Sequence, residues 1–224
     1  MDSAPSAMRN PLSRKIFGHD RDETRSWRDD VLWVVDLETT GLNLRSDKII
    51  SYGAIPIQHG RIVMARATYG LVHIAEAVPA PSACIHGIRT QDLAAAPPIK
   101  DAVAQLDTLI GDRPIIAHCA VIERTLLRRA YRGCGRRLTN RFIDTAPLAA
   151  RALRVPITEG AISLEYAATK IGVPVHTPHH ALGDAVTTAN LFLALASRLE
   201  QQLGTTPLST AALIETSTNQ KKPT

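Results

Sequence analysis

Two carboxylates, Asp36 and Glu38, end the apolar run Val31-Leu32-Trp33-Val34-Val35 and are followed by Thr39, Thr40, Gly41 and Leu42. In an extended chain alternate side chains project to the same side, so both acids point one way. Two such charges roughly 4 Å apart repel by about 4 kcal/mol at an effective dielectric of about 20. The arrangement is costly unless a cation lies between them or one takes up a proton, and a divalent metal is the simpler remedy. Taken alone, D-x-E more often marks a strand end fraying into a solvated turn. The other acids and histidines must decide.

Two further acids fall at helix starts. Glu123 ends His118-Cys119-Ala120-Val121-Ile122-Glu123, a strand-to-helix passage, although a carboxylate in a first turn also suits the helix dipole without any chemical role. Asp184 lies in Pro178-His179-His180-Ala181-Leu182-Gly183-Asp184, which opens a long helix. Asp36, Glu38, Glu123 and Asp184 together form a two-metal constellation. Their oxygens suit hard Mg²⁺ or Mn²⁺. Two such ions roughly 4 Å apart can clamp a phosphodiester, lower the pKa of a bound water and stabilise the departing oxygen. An imidazole, ordinarily titrating near pH 6.5, can take the water's proton. His179 suits that role better than His180 because it precedes the helix in a loop. The adjacent pair is not read as a zinc site, since side chains one apart do not face the same way on a helix and no Cys or His partner has suitable spacing.

The elements that position these residues follow from the apolar pattern. Val31 to Leu37 has the continuous run of a strand covered on both faces. Ile49 to Ile57, a His59-Gly60 turn and Arg61 to about Val72 predict a hairpin, with Pro56 at a strand end or bulge because it cannot donate to a ladder. Val78 to Pro98 reads as a Pro- and Ala-rich connection around about one helical turn. Ala102, Val103, Leu106, Leu109 and Ile110 mark an amphipathic helix, followed by a short buried strand at Ile115-Ile116-Ala117. The helix after His118 buries Leu126, Leu127 and Ala130 and carries Arg124, Arg128 and Arg132 along another side. The six arginines from Arg128 to Arg141 could meet phosphates, and equally suit a solvated basic loop. A short strand then ends at Asp144 or Thr145 as helix cap. Leu182, Val186, Ala189, Leu193, Ala196, Leu199 and Leu203 form the stripe of the last long helix.

With 224 residues, 45% of them hydrophobic, the chain is expected to form one α/β domain at 30–203, with an N-terminal extension at 1–29 and a C-terminal tail at 204–224. No apolar run reaches about 18 residues and the N-terminus lacks a signal pattern, so no membrane partner and a cytoplasmic location are expected. Cys84, Cys119 and Cys134 are odd in number and lack C-x-x-C spacing, which argues against a disulfide framework or a thiolate zinc site. The excess of 26 Lys+Arg over 21 Asp+Glu is compatible with a polyanionic partner. At 4% aromatic residues, a stacking platform for single strands is not expected.

Over about Val31 to Leu203 the chain resembles the DnaQ-like, DEDDh-type 3′→5′ exonucleases, relatives of the proofreading epsilon subunit of bacterial DNA polymerase III. Asp36 to Leu42 match D-x-E-T-T-G-L residue for residue, and His179, Ala181 and Asp184 match H-x-A-x-x-D. Ile85-His86-Gly87-Ile88 and Asp144-Thr145 also resemble segments of that family. One motif departs: His118 to Glu123 stands where the family shows H-N-x-x-F-D. Glu keeps charge and ligand type but adds a methylene, so its carboxylate must sit farther back or ligate through a different oxygen.

The resemblance implies a ribonuclease H-like fold: a five-stranded mixed sheet, its second strand antiparallel, flanked by helices. It implies that Asp36, Glu38, Glu123 and Asp184 bind two Mg²⁺ or Mn²⁺ ions and that His179 activates water. The backbone around Thr39, Thr40 and Leu42, with His86, would hold the terminal nucleotide, and nucleoside 5′-monophosphates would be released. The expected partner is nucleic acid with a free 3′ end, single-stranded DNA ahead of RNA, since the 2′-hydroxyl contact that separates them lies in pocket detail. An exoribonuclease or short-oligonucleotide hydrolase, and a catalytically silent nucleic-acid-binding module, are the alternatives. A polymerase or other protein partner is left open.

Overall fold

Strand β1 (Val31–Thr39) lies inside a mixed sheet, as an unbroken apolar run requires. Leu32 and Val34 enter one core; Trp33, Val35 and Leu37 enter the other. The computed structural model describes residues 25–156, 162–205 and 207–218; the parts of the expected extension and tail at 1–24 and 219–224 lie outside them. β2 (Ile49–Gln58) pairs antiparallel with β1 along its length. β3 (Arg61–Ile62) and β4 (Thr68–Leu71) both pair with the outer side of β2. On the other side of β1, β5 (Ile115–Ala117) and then β6 (Phe142–Asp144) run parallel to it.

Six strand segments thus occupy the five sheet positions expected. The third strand, expected whole over Arg61 to Val72, is broken by a 3₁₀ helix at Met64–Arg66. Ile57 pairs with Ile62 and Ala54 with Thr68, so residues 63–67 loop out opposite Ile55 and Pro56. Pro56 has no N–H to offer there, while its carbonyl accepts from the Val63 N–H at 2.9 Å. The proline therefore sits beside a break in its neighbour.

Helices α1 (Ala80–His86), α2 (Ile99–Ile110), α3 (Val121–Gly133), α4 (Thr145–Leu153), α5 (Leu164–Ile171), α6 (Ala181–Leu203) and α7 (Thr210–Thr218) flank the sheet. α2 and α3 cover the Trp33 face; α4, α5, α6 and α7 cover the Leu32 face. α1 is longer than the single turn expected, starting after Pro79 and closed by Gly87 in the left-handed region at φ 74°. α6 packs on β1 and β2 and also on α4 and α5. Its buried set therefore includes Ala181, Ala185, Leu191, Phe192 and Leu195 beyond the single stripe, while Leu203 stays exposed. No described helix is long and apolar enough to cross a membrane.

Packed structure continues on both flanks of 30–203. Beyond 204, α7 packs on β6 and α4, with Leu208, Leu213 and Ile214 buried. Before 30, Trp27 is buried edge-on against Phe192, with ring centroids 5.3 Å apart, and its N–H bonds the Leu208 carbonyl at 3.0 Å. Ser26 and Ser209 form an antiparallel bridge. Glu200 accepts from the Trp27 Nε1–H at 3.1 Å, from the Arg28 guanidinium at 2.6 and 2.7 Å, and from the Leu208 N–H at 3.0 Å. These anchors are few and irregularly spaced, so they carry no period a sequence reading could detect.

Candidate active site

The alternation that buries Leu32 and Val34 continues to Asp36 and Glu38, so both carboxylates face the side on which α6 packs. The first turn of α6 supplies Asp184. Oxygens of Asp36, Glu38 and Asp184 all lie within 4.8 Å of one another. α6 comes this close because Gly53, the cross-strand partner of Asp36, has no side chain. A Cβ there would lie 2.4 Å from the backbone of Ala181 and Leu182.

Glu123 arrives from the first turn of α3, which starts just after β5. It stands outside the tight group of three but lines the same cavity of about 400 Å³. At 4% exposure it faces inward, and its Oε2 has no hydrogen-bond partner. α3 has no side-chain cap of its own. Instead Asp144 at the end of β6 accepts from the N–H groups of Cys119 at 3.0 Å and Ala120 at 2.9 Å, and also caps α4 through Ala146 at 3.0 Å. One carboxylate thereby fixes two helix starts. The sequence suggested only its cap on α4.

The cavity is also lined by Thr39, Leu42, His86 and His179, so most of the expected site residues meet there. Thr40 does not line it: its hydroxyl donates to Asp47 at 3.1 Å, and its carbonyl accepts from Ser82 at 2.6 Å. Leu42 is 79% exposed on the rim. His86 accepts from the Ile88 N–H through Nδ1 at 3.1 Å, while Nε2 is buried near the Thr39 carbonyl without reaching hydrogen-bond geometry. His179 is exposed with φ 60°, and its N–H donates to Asp184 at 2.9 Å. His180 is engaged elsewhere: Nδ1 accepts from Gly183 at 3.3 Å and the ring stacks on Tyr69 at 4.5 Å. Ile85, His118, Cys119 and Ile122, from segments quoted in the sequence, line it too, with Leu37, Gly41, Ser82 and Leu164. His118 is fixed by Thr145 at 2.9 Å and the Ile162 carbonyl at 2.6 Å.

No cation among the described residues pairs with this acid cluster, and the acids respond accordingly. Burial pushes the Asp36 carboxyl well above its usual range, with Glu123, Asp184 and Glu38 adding to the rise. Burial, then Asp184, raises Glu38 to about 7. Burial also raises Glu123, against the pull of its own N–H and with Asp144 and Glu38 adding. Asp184 is raised by burial, although the His179 N–H and the neighbouring imidazoles oppose it. An all-oxygen donor set of crowded, desolvated carboxylates, one with an orphaned buried oxygen, fits hard divalent cations.

The strand order, the helices on both faces and the acids at strand ends define a ribonuclease H-like α/β domain. A family model described as Exonuclease, of the RNase T kind, matches residues 33–192, and the chain belongs to that family. It is 33% identical over 170 residues to a DNA polymerase III subunit epsilon-like protein of Rhodobacter capsulatus, covering 75% of this chain and 24% of the relative. It is 26% identical over 175 residues to the PolC-type DNA polymerase III of Clostridium perfringens, covering 78% of this chain and 12% of that one. The chain thus spans a quarter or less of these relatives. Among solved structures, exonuclease X in complex with 5′ overhanging duplex DNA superposes with a TM-score of 0.61 at 24% identity, over 82% of this chain and 99% of that one. Escherichia coli exonuclease I in complex with a dT13 oligonucleotide gives 0.66 at 17% identity, over 78% and 43%.

Proposed function

We propose that this chain is a metal-dependent exonuclease that removes nucleotides stepwise from the 3′ end of single-stranded DNA and releases nucleoside 5′-monophosphates. The observation that supports this most is the meeting of Asp36, Glu38 and Asp184 within 4.8 Å, in a cavity that Glu123 and His179 also line. These four carboxylates would hold two ions, Mg²⁺ or Mn²⁺. When bound, such cations supply charge neutralisation for the phosphodiester, a lowered pKa for the attacking water and stabilisation of the leaving oxygen.

The chain's own residues do the rest. His179 accepts the water's proton on an imidazole nitrogen and, being exposed, can return it to solvent. The bond from its N–H to Asp184 couples its position to the acid cluster. Leu42 offers an apolar surface at the rim for the terminal base, with Thr39 and His86 seating the nucleotide. Glu123 reaches the cavity through one methylene more than an aspartate, and the Asp144 bonds hold its helix start in register.

The test uses matched 5′-labelled DNA and RNA oligonucleotides with Mg²⁺, Mn²⁺ or chelator, beside Asp36→Ala. A ladder shortening from the 3′ end, on DNA and only with cation, is expected. Shortening of RNA alone would make the chain an exoribonuclease, and bound but uncut oligonucleotide would refute the nuclease reading.

A further inference from the structure

Four arginines surround a hollow at the far end of α3. Arg128 and Arg132 lie on the helix's solvent side, Arg136 and Arg137 follow its end, and with buried Leu138 they line about 510 Å³. Arg136 pairs with Asp107. Among the described residues, Arg128, Arg132 and Arg137 have no acidic partner. Gathering unpaired like charges weakens a fold, and these side chains serve no core. An anion is the occupant that their chemistry satisfies.

The hollow joins the candidate active site through one element. Glu123 faces the cavity from the first turn of α3, and Arg128 and Arg132 follow five and nine residues later, about 7.5 and 13.5 Å along the axis and roughly 140° and 180° around it, on the outer side of the helix. Each nucleotide of a stacked strand advances about 3.4 Å along its axis, and an extended strand advances further. A strand with its end among the carboxylates that crosses the outer side of α3 therefore meets the arginines a few nucleotides back.

Resting on the exonuclease reading above, we propose that Arg128, Arg132 and Arg137 hold the phosphate backbone of the substrate strand a few nucleotides upstream of its 3′ end. Guanidinium forks match phosphate oxygens in pairs. Contacts to phosphate carry no base information, so the hold is independent of sequence. Oligonucleotides too short to reach the hollow gain nothing from it.

The test is fluorescence anisotropy with 5′-labelled thymidine oligonucleotides of about 20 and about three residues, divalent cations chelated, over about 50 to 200 mM salt. For the long probe, the variant Arg128→Gln, Arg132→Gln, Arg137→Gln should flatten the slope of log K against log salt by about 2, at about 0.7 per phosphate contact. Each single replacement should flatten it by about 0.7, which keeps the test readable if the triple variant folds poorly. A charge-matched control, Arg151→Gln, Lys170→Gln, Arg198→Gln, removes three exposed cations elsewhere and should keep the original slope. An unchanged slope in the first variant, an equal loss in the control, an equal loss for the short probe, or no binding of the long probe by the unaltered protein overturns the proposal. Failure of the nuclease reading shows separately, as no stepwise shortening by the unaltered protein with cation present.

Discussion

A single methyl group at residue 53 should pull the site apart. The Cβ of Gly53→Ala would lie 2.4 Å from the carbonyl carbon and oxygen of Ala181 and the nitrogen of Leu182, where ordinary contact begins at 3.4 Å. Backbone cannot rotate aside as a long side chain can, so the first turn of α6 must retreat by about 1 Å, a displacement that can lower a rate by about 100-fold. Asp184 and the His179 backbone travel with that turn, because the Asp184 N–H bonds the His180 carbonyl at 2.9 Å and the His179 N–H bonds the Asp184 carboxylate. Asp36 and Glu38 stay on β1. Overpacking of this kind costs about 1–3 kcal/mol, and a fold of this size loses about 2–4 °C of melting temperature per kcal/mol. The measurements are the rate of oligonucleotide shortening at saturating cation and the melting curve by circular dichroism. The rate should fall about 100-fold and melting by several degrees with the helical spectrum kept. An unchanged rate together with unchanged melting would show that α6 is not seated on residue 53.

Four further outcomes are expected. His179→Asn, which tolerates the left-handed backbone at φ 60° but lacks a base, should lower kcat by about 10²–10⁴ without shifting the melting temperature. Mn²⁺ at about 100 times its Kd should add about 2.7 kcal/mol of stability, and Asp36→Asn should lose most of that thermal shift; no shift in the unaltered protein would count against a cation site. Asp144→Ala leaves the Cys119, Ala120 and Ala146 N–H groups without their acceptor. It should cost about 2–3 kcal/mol and reduce activity, seen by chemical denaturation beside the shortening assay. Burial alone would raise the Glu200 carboxyl, but the bonds from Arg28, Leu208 and Trp27 outweigh it and hold it below the ordinary value. A depressed carboxylate stabilises above its unfolded pKa and loses that benefit as pH falls through the folded value. Glu200→Gln should therefore melt lower than the unaltered protein at pH 7, with the gap shrinking only as acid carries the pH below the ordinary glutamate value and through the depressed one; a gap that does not change on acidification would refute the assignment.

The carboxylates and the histidine of the candidate site were legible because they are local. Asp36 and Glu38 share a strand, His179 and Asp184 share a helix start, and each pair carries its own turn and period. β1, β5 and α6 were legible for the same reason, since each has a strong apolar pattern, whereas the mixed sheet came from the family resemblance. What the sequence hid depends on contacts between distant segments. Asp144 reads as an ordinary cap until β6 lies beside β5 and places it under the α3 start. Thr40 looks like a backbone contact of the site until its N–H bonds the Lys48 carbonyl and its own carbonyl takes the Ser82 hydroxyl. Ser82, Ile85 and Cys119 reach the cavity only through the way α1 and the α3 start pack around it. Pro56 signalled an irregularity, and the break it implied fell on the neighbouring strand.

The bridge of Ser26 with Ser209, backed by Arg28 and Glu200, ties the approach to β1 to the link between α6 and α7. From Val31 to Glu38 that strand runs about 23 Å at about 3.3 Å per residue, so this junction and the acid cavity occupy opposite ends of the sheet. Loosening the Ser26–Ser209 bridge would therefore act on the sheet at the end remote from the carboxylates.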